Sequence, residues 1–271
     1  MNNNNPQKIG IAGLGAIGSA VGRALNKGID GLTWIGACDP NPNPEFDIPF
    51  MSDDDLIASS DIIIECLPPQ YVPELAIKTI KAQKTLILIS SCALLIYPEI
   101  LDTHNSINKD INTQKKPKII VPSGALSGLD GVKALKKLGI KECVIASTKK
   151  PSGFHGAPYV DNNAIDLSVI TTRTKLFSGN AIEAAKGFPA NVNVAATLSL
   201  AGIGAENTKV EIWADPDIKG NTHEFKVIGE FSQIESKITN TPDPANPKSS
   251  MLAAQSIVAC LEDINNALIV L

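Results

Sequence analysis

The chain has 271 residues, 44% of them hydrophobic and 19% charged, with a formal net charge of −4. This suits one large or two modest globular domains, and the mild acidity excludes a surface made to attract nucleic acid or anionic lipid. Two uncharged runs fail as membrane spans: Thr85–Pro98 is too short, and Gly187–Ala205 carries Pro189, Asn191 and Asn193.

The opening MNNNNPQK has no apolar core and reads as a tail rather than a signal peptide. Residues 8–23, KIGIAGLGAIGSAVGR, then read as a strand, a glycine-rich turn and a helix. Ile9, Ile11 and Ala12 suit a buried parallel strand. Gly13, Gly15 and Gly18 keep the G-x-G-x-x-G spacing of a dinucleotide loop, with Ala16 and Ile17 between them. The free N–H groups of the helix start would face the phosphates. A second strand, Leu32–Cys38, ends in Asp39, about where a carboxylate binds a ribose 2′-OH. A proline-rich turn follows over Pro40–Pro49, then an acidic helix start at Ser52–Asp55. Asp61–Leu67 is the third strand, about Tyr71–Lys81 a helix with Pro73 in its first turn, and Leu86–Ile89 the fourth strand. The polar, aperiodic Asp102–Lys118 reads as a surface loop, with His104 a solvated loop residue. Ile119–Val121 is the next strand, and the helix after it shows Leu129, Val132, Leu135 and Leu138 on one side. Strands alternating with helices predict a doubly wound parallel sheet of Rossmann type. Ligands bind beyond the carboxyl ends of such strands, so Leu67–Gln70 and Ser90–Cys92 should face the cofactor.

The pattern changes after Gly139. Lys141–Thr148, Ile165–Thr172, Lys209–Trp213, His223–Ile228 and Gln233–Thr239 look like strands, interrupted by helices only at about Asn180–Lys186 and Asn191–Ala201. That predicts a second, α+β domain with a largely antiparallel sheet. Asn246, Pro247 and Lys248 are suited to open a last helix with the stripe Met251, Ala254, Val258 and Leu261. Its return to the first domain would make that domain discontinuous: residues 1–121 and 245–271 around a second domain at 122–244.

A nicotinamide enzyme needs an acid/base group beside its cofactor. His223 follows the polar turn Ala214–Thr222 and suits proton transfer, although an exposed histidine at a strand start is the simpler reading from composition. His155, in a glycine-containing loop, is a weaker candidate. Cys92 could be a thiolate nucleophile of an aldehyde dehydrogenase, but Ser90–Leu94 offers no cation to lower its pKa, so a buried structural thiol is favoured. Lys248 at a helix start could hold a carboxylate or remain a solvated lysine. The five cysteines are scattered, odd in number and without metal-ligand spacing, which reads as reduced thiols of a cytoplasmic protein with no metal site. Asp39, with no Arg or Lys in Pro40–Pro44, favours NAD over NADP.

Five stretches together resemble the L-aspartate dehydrogenase family over essentially the whole chain. They are Gly13–Gly18; Pro122–Ala125 with Gly128–Asp130; Phe188–Leu198; Ala214–Pro216 with Asn221–His223; and Asn246–Ser250. The first is common among dehydrogenases, and the other four in this order are specific. The resemblance implies a Rossmann domain plus an α+β domain whose sheet forms a homodimer, with the C-terminal helix rejoining the first domain. It implies that His223 is catalytic and that Ala125 and either Asn191 or Asn193 contact NAD, with NADP also accepted; Asn221 and Lys248 are expected toward the substrate. The implied reaction is oxidative deamination of L-aspartate to iminoaspartate, oxaloacetate and ammonia, with iminoaspartate feeding quinolinate and NAD synthesis. The other readings are an aspartate-semialdehyde-type dehydrogenase using Cys92 and a non-catalytic NAD-binding sensor. The long polar stretch Asp102–Lys118 and Cys92 depart from the family pattern.

Overall fold

The computed structural model describes residues 5–113, 115–241 and 250–270. In chain order the first part runs β1 (Gln7–Ala12), α1 (Ala16–Lys27), β2 (Leu32–Cys38), α2 (Asp53–Ser59), β3 (Ile62–Glu65), α3 (Val72–Lys81), β4 (Thr85–Leu88), α4 (Ala93–Ile96), α5 (Glu99–Lys109) and β5 (Lys118–Ile120). The second part runs α6 (Leu129–Leu138), β6 (Ile140–Lys149), α7 (Pro158–Asn162), β7 (Thr174–Asn180), α8 (Ala181–Gly187), α9 (Asn193–Ala201), β8 (Lys209–Ala214), β9 (Asn221–Gly229), β10 (Gln233–Asn240) and α10 (Met251–Asp263). Two compact units result. One comprises Met1–Ser90, Tyr97–Pro122 and Ala253–Leu271, and the other Ser91–Ile96 and Ser123–Leu252.

The first unit is built on a parallel sheet in the order β2-β1-β3-β4-β5. Ile62, Ile63 and Ile64 are all buried, as a central parallel strand covered on both faces requires. The order reverses direction between β1 and β3, which places a ligand crevice at the carboxyl ends of those two strands. Ser52 caps α2 by accepting from the Asp55 N–H, and three aspartates favour its positive end. The first half of Asp102–Lys118 is not loop, since helix α5 covers Glu99–Lys109. Its polar sequence hides the helix because only Ile100 is fully buried, against α3, while the other turns stay wet. His104 is therefore a half-buried helical residue whose Nε2 lies 3.2 Å from the Pro117 carbonyl.

The second unit carries a mixed sheet in the order β10-β9-β6-β8-β7, antiparallel at every pairing except β6 with β8. One face packs under helices: Cys143 and Ile145 of β6 and Phe225 and Val227 of β9 share a core with Val132 and Leu135 of α6 and the alanines of α8 and α9. Helix α9 buries Val194 through Ser199 without interruption, so the uncharged run Gly187–Ala205 is interior. No helix among the described residues is long and apolar enough to cross a membrane.

Three expectations change here. The segment Ile165–Thr172 forms no strand: Asp166 accepts from Ser168 N–H to make a short helical turn, Leu167 anchors it, and Val169 is exposed. The strand lies just beyond it, at β7, where a register shift between Lys175 and Phe177 breaks the alternation that would have marked it. On α6 Val132 and Leu135 are buried but Leu138 is exposed, because each three-residue step falls about 60° short of a full turn. On α10 the buried stripe is Ala254, Ile257, Val258 and Leu261, and Met251 is exposed. The expected opening of that helix at Asn246, Pro247 and Lys248 lies outside the described residues.

Candidate active site

In the first unit the glycine loop has the shape a pyrophosphate needs. Gly13 has φ +90°, and a Cβ there would stand 2.6 Å from the Cys66 carbonyl oxygen. A Cβ on Gly18 would collide with the Gly13 carbonyl, so the third glycine lets α1 approach β1. Gly15 differs: a Cβ there would meet nothing within 4 Å. Gly15 is also the N-cap of α1 with no side-chain cap, so the helix presents its first N–H groups, over Ala16 and Ile17, without a capping side chain. This open cradle fits a dinucleotide phosphate. At the end of β2, Asp39 accepts from Leu14 N–H (2.6 Å) and Asn41 N–H (2.8 Å). A carboxylate with two such bonds keeps lone pairs for sugar hydroxyls.

Behind the loop lies a carboxyl group that no sequence motif announced. Glu65, at the end of β3, is fully buried and accepts from Leu67 N–H (2.6 Å), Ser90 N–H (3.0 Å) and Ser90 Oγ (2.9 Å). Burial raises its pKa to about 7, opposed by those hydrogen bonds. The Ser90 hydroxyl also lies 2.9 Å from the Leu67 carbonyl. The network ties the ends of β3 and β4 together directly beside Gly13.

In the second unit the β6–β9 register sets Ser147 opposite His223. His223 is only 5% exposed, and its Nδ1 lies 2.9 Å from Ser147 Oγ. Burial, with the positive charge of Lys149, draws its pKa down to about 3, so the imidazole is neutral across the physiological range. In the tautomer whose Nδ1–H donates to Ser147, Nε2 keeps its lone pair as a base. Lys149 follows Ser147 by two positions, hence on the same strand face. Its Nζ donates to Asn191 Oδ1 (2.8 Å), and desolvation lowers its pKa to about 8. Asn193, at the start of α9, is differently engaged: its Oδ1 accepts from Cys92 N–H (3.1 Å) and its carbonyl from Ser91 Oγ (2.8 Å). Asn221 lies on β9 two residues before His223, so it shares that face. Ala125 is buried after Gly124, whose φ is +64°.

The second unit thus brings together His223, Asn221 and Asn191, with Asn193 nearby on α9. Gly13, Gly15, Ala16, Ile17, Gly18 and Asp39 gather in the first unit, and Lys248 lies outside the described residues. His223 is not the exposed strand-start residue that composition alone suggested. His155 is exposed on its loop. The Cys92 thiol is fully buried and donates to the Pro189 carbonyl (2.9 Å), the geometry of a protonated structural thiol rather than a nucleophile. Ser147, Lys149 and Glu65 were missed. The first two were legible by counting: Cys143, Ile145, Ser147 and Lys149 alternate along β6, so the apolar face ends in a hydroxyl and an ammonium. Among the described residues no group of acids, histidines and cysteines is arranged to hold a metal ion.

The profile of the family described as "Aspartate dehydrogenase, C-terminal" matches residues 130–264. The L-aspartate dehydrogenase of Methanosarcina mazei is 38% identical over 268 residues, covering 96% of this chain and 97% of its own. That of Methanosarcina acetivorans is 38% identical with the same coverage. Among solved structures, the aspartate dehydrogenase of Thermotoga maritima superposes with a TM-score of 0.73 at 25% identity, over 97% of this chain and 99% of its own.

Proposed function

This chain belongs to the L-aspartate dehydrogenase family, and we propose that it oxidises L-aspartate at its amino-bearing carbon with a nicotinamide dinucleotide. The observation that carries this reading is similarity over almost the full length of both chains, joined to a buried, serine-held imidazole on the second unit. When bound, the dinucleotide supplies the hydride acceptor at Cα, which leaves iminoaspartate. His223, neutral at rest, then takes a proton from the water that adds to the imine carbon. The same imidazole returns that proton to nitrogen, and as ammonia leaves the hydroxyl proton of the carbinolamine passes to solvent, giving oxaloacetate. Ser147 holds the ring in place throughout.

The pyrophosphate belongs on the Gly13–Gly18 loop and the adenosine ribose on Asp39. NAD is the preferred cofactor on two grounds. Asp39 repels a 2′-phosphate, and the nearby Arg23 guanidinium is engaged bidentately by Glu45 (2.5 and 2.8 Å). Ala125 and one of Asn191 and Asn193 complete the nucleotide contacts. Lys248 and Asn221 are assigned to the substrate. Five scattered cysteines, odd in number, support a reducing, cytoplasmic setting. The sheet face of the second unit turned away from its helices carries the cross-strand ion pairs Lys226–Glu235 and Lys237–Glu224, and it is assigned to a second copy of the chain. Iminoaspartate release would serve quinolinate formation.

The test is NADH production on L-aspartate beside glutamate, alanine, homoserine and aspartate semialdehyde, repeated with NADP. Turnover should be greatest on aspartate and more efficient with NAD. Turnover on the semialdehyde alone, abolished by a thiol reagent, would overturn the reading in favour of Cys92.

A further inference from the structure

Among the described residues, Lys149 is a cation without an anion. Four other lysines on this sheet are paired with carboxylates: Lys175 and Lys209 with Glu211, Lys226 with Glu235, and Lys237 with Glu224. Among the described residues no carboxylate lies within ion-pair distance of Lys149, and the acceptor recorded for its amino group is the neutral Asn191 amide oxygen. An ammonium has three donors, and a desolvated one left short of acceptors is costly unless a ligand completes the set. Its place is also informative. Cys143, Ile145 and Ser147 bury the inward face of β6, and Lys149 ends that face in a position that keeps some accessible surface. It is therefore desolvated yet reachable, two residues beyond the serine that holds His223.

We propose that Lys149, steadied by the Asn191 side chain, is the carboxylate subsite of this enzyme and takes one carboxylate of a small dicarboxylic substrate beside His223. The inference deepens the aspartate reading and rests on it. It also gives substrate binding a consequence. Lys149 helps to keep His223 unprotonated. A bound carboxylate neutralises that charge, and the imidazole becomes a stronger base when there is a substrate to act on.

The experiment compares wild type with Lys149→Met and Lys149→Arg. It reads NADH affinity by fluorescence, succinate affinity for the NADH-bound protein, and the KM of aspartate against kcat. Loss of a charged hydrogen bond predicts a rise of about 10–100-fold in the succinate Kd and aspartate KM of Lys149→Met. NADH affinity should change far less, and Lys149→Arg should recover part of the loss. L-Aspartate and L-asparagine as ligands of the NADH-bound protein tell the carboxylates apart. Equal losses assign Lys149 to the α-carboxylate and a loss for aspartate alone assigns it to the side chain; either supports the subsite. If Lys149→Met does not fold, Lys149→Gln provides the same reading. Unchanged succinate affinity and aspartate KM in a variant that binds NADH would overturn the proposal while leaving the aspartate activity standing. Succinate binding lost in the variant of a wild type that does not oxidise aspartate would sink the activity and keep the subsite.

Discussion

His223 owes its chemistry to burial. An exposed histidine is partly protonated near neutrality, whereas this one is neutral because its surroundings disfavour the imidazolium and Lys149 opposes it. A neutral imidazole can begin the water-addition step without first losing a proton. The variant His223→Ala should therefore bind NADH like the wild type while kcat falls about 10²–10⁴-fold, the usual contribution of a general acid/base group. Stopped-flow turnover beside NADH titration reads both quantities. His104, bonded to the Pro117 carbonyl, and the exposed His155 should each tolerate alanine with little loss of rate. Collapse of the His155→Ala rate with a healthy His223→Ala would reverse the assignment. Ser147→Ala should fall between them, since it leaves the base in place but frees the ring to turn.

Among the elements, the junction of β1 with α1 gives the sharpest contrast. Gly15→Ala adds a methyl to open space, so the fold should survive, but the methyl occupies the approach of a pyrophosphate. NADH affinity should drop at least about tenfold with the melting temperature nearly unchanged. Gly18→Ala drives the same methyl into the Gly13 carbonyl and should lower both. Equal melting temperatures for the two variants would refute the packing role of Gly18. The ends of β3 and β4 carry a pH dependence through Glu65. Its folded pKa, about 7, lies above the ordinary 4.5, so between those values the folded state binds the proton more tightly than the unfolded chain. Stability from this group is thus greatest at and below about pH 4.5, falls as pH rises to about 7, and stays low above it, by roughly 3 kcal/mol in all. Urea unfolding at pH 5 and pH 8 should show a smaller difference in Glu65→Gln than in wild type, whatever the variant's absolute stability. An identical difference would mean that Glu65 is ionised throughout.

At the scale of the whole molecule, the C-terminal segment is as much a part of the first unit as β1 is. Ile257, Val258 and Leu261 of α10 are buried in the core of the parallel sheet. Each is worth about 1.5–3 kcal/mol on burial, so ending the chain at residue 250 removes an amount comparable with a domain's total stability. The truncated protein should lose NADH binding and the cooperative unfolding of the first unit in calorimetry. Retained NADH affinity would show that the parallel sheet stands without α10. From local sequence alone came the parallel sheet, the glycine loop with Asp39 at the end of the next strand, and the largely antiparallel second sheet, each written in alternation or glycine spacing; His223 was singled out by the family resemblance, since composition favoured an exposed histidine. Helix α5 escaped because one buried residue makes no stripe, and β7 because a bulge breaks its period. The tertiary structure alone decided what Glu65 is and which partners Ser147 and Lys149 take. A glutamate, a serine and a lysine are ordinary in any sequence. They become a raised carboxyl, a ring-holding hydroxyl and a desolvated ammonium on an amide oxygen only when distant strands and helices remove their water and choose their partners.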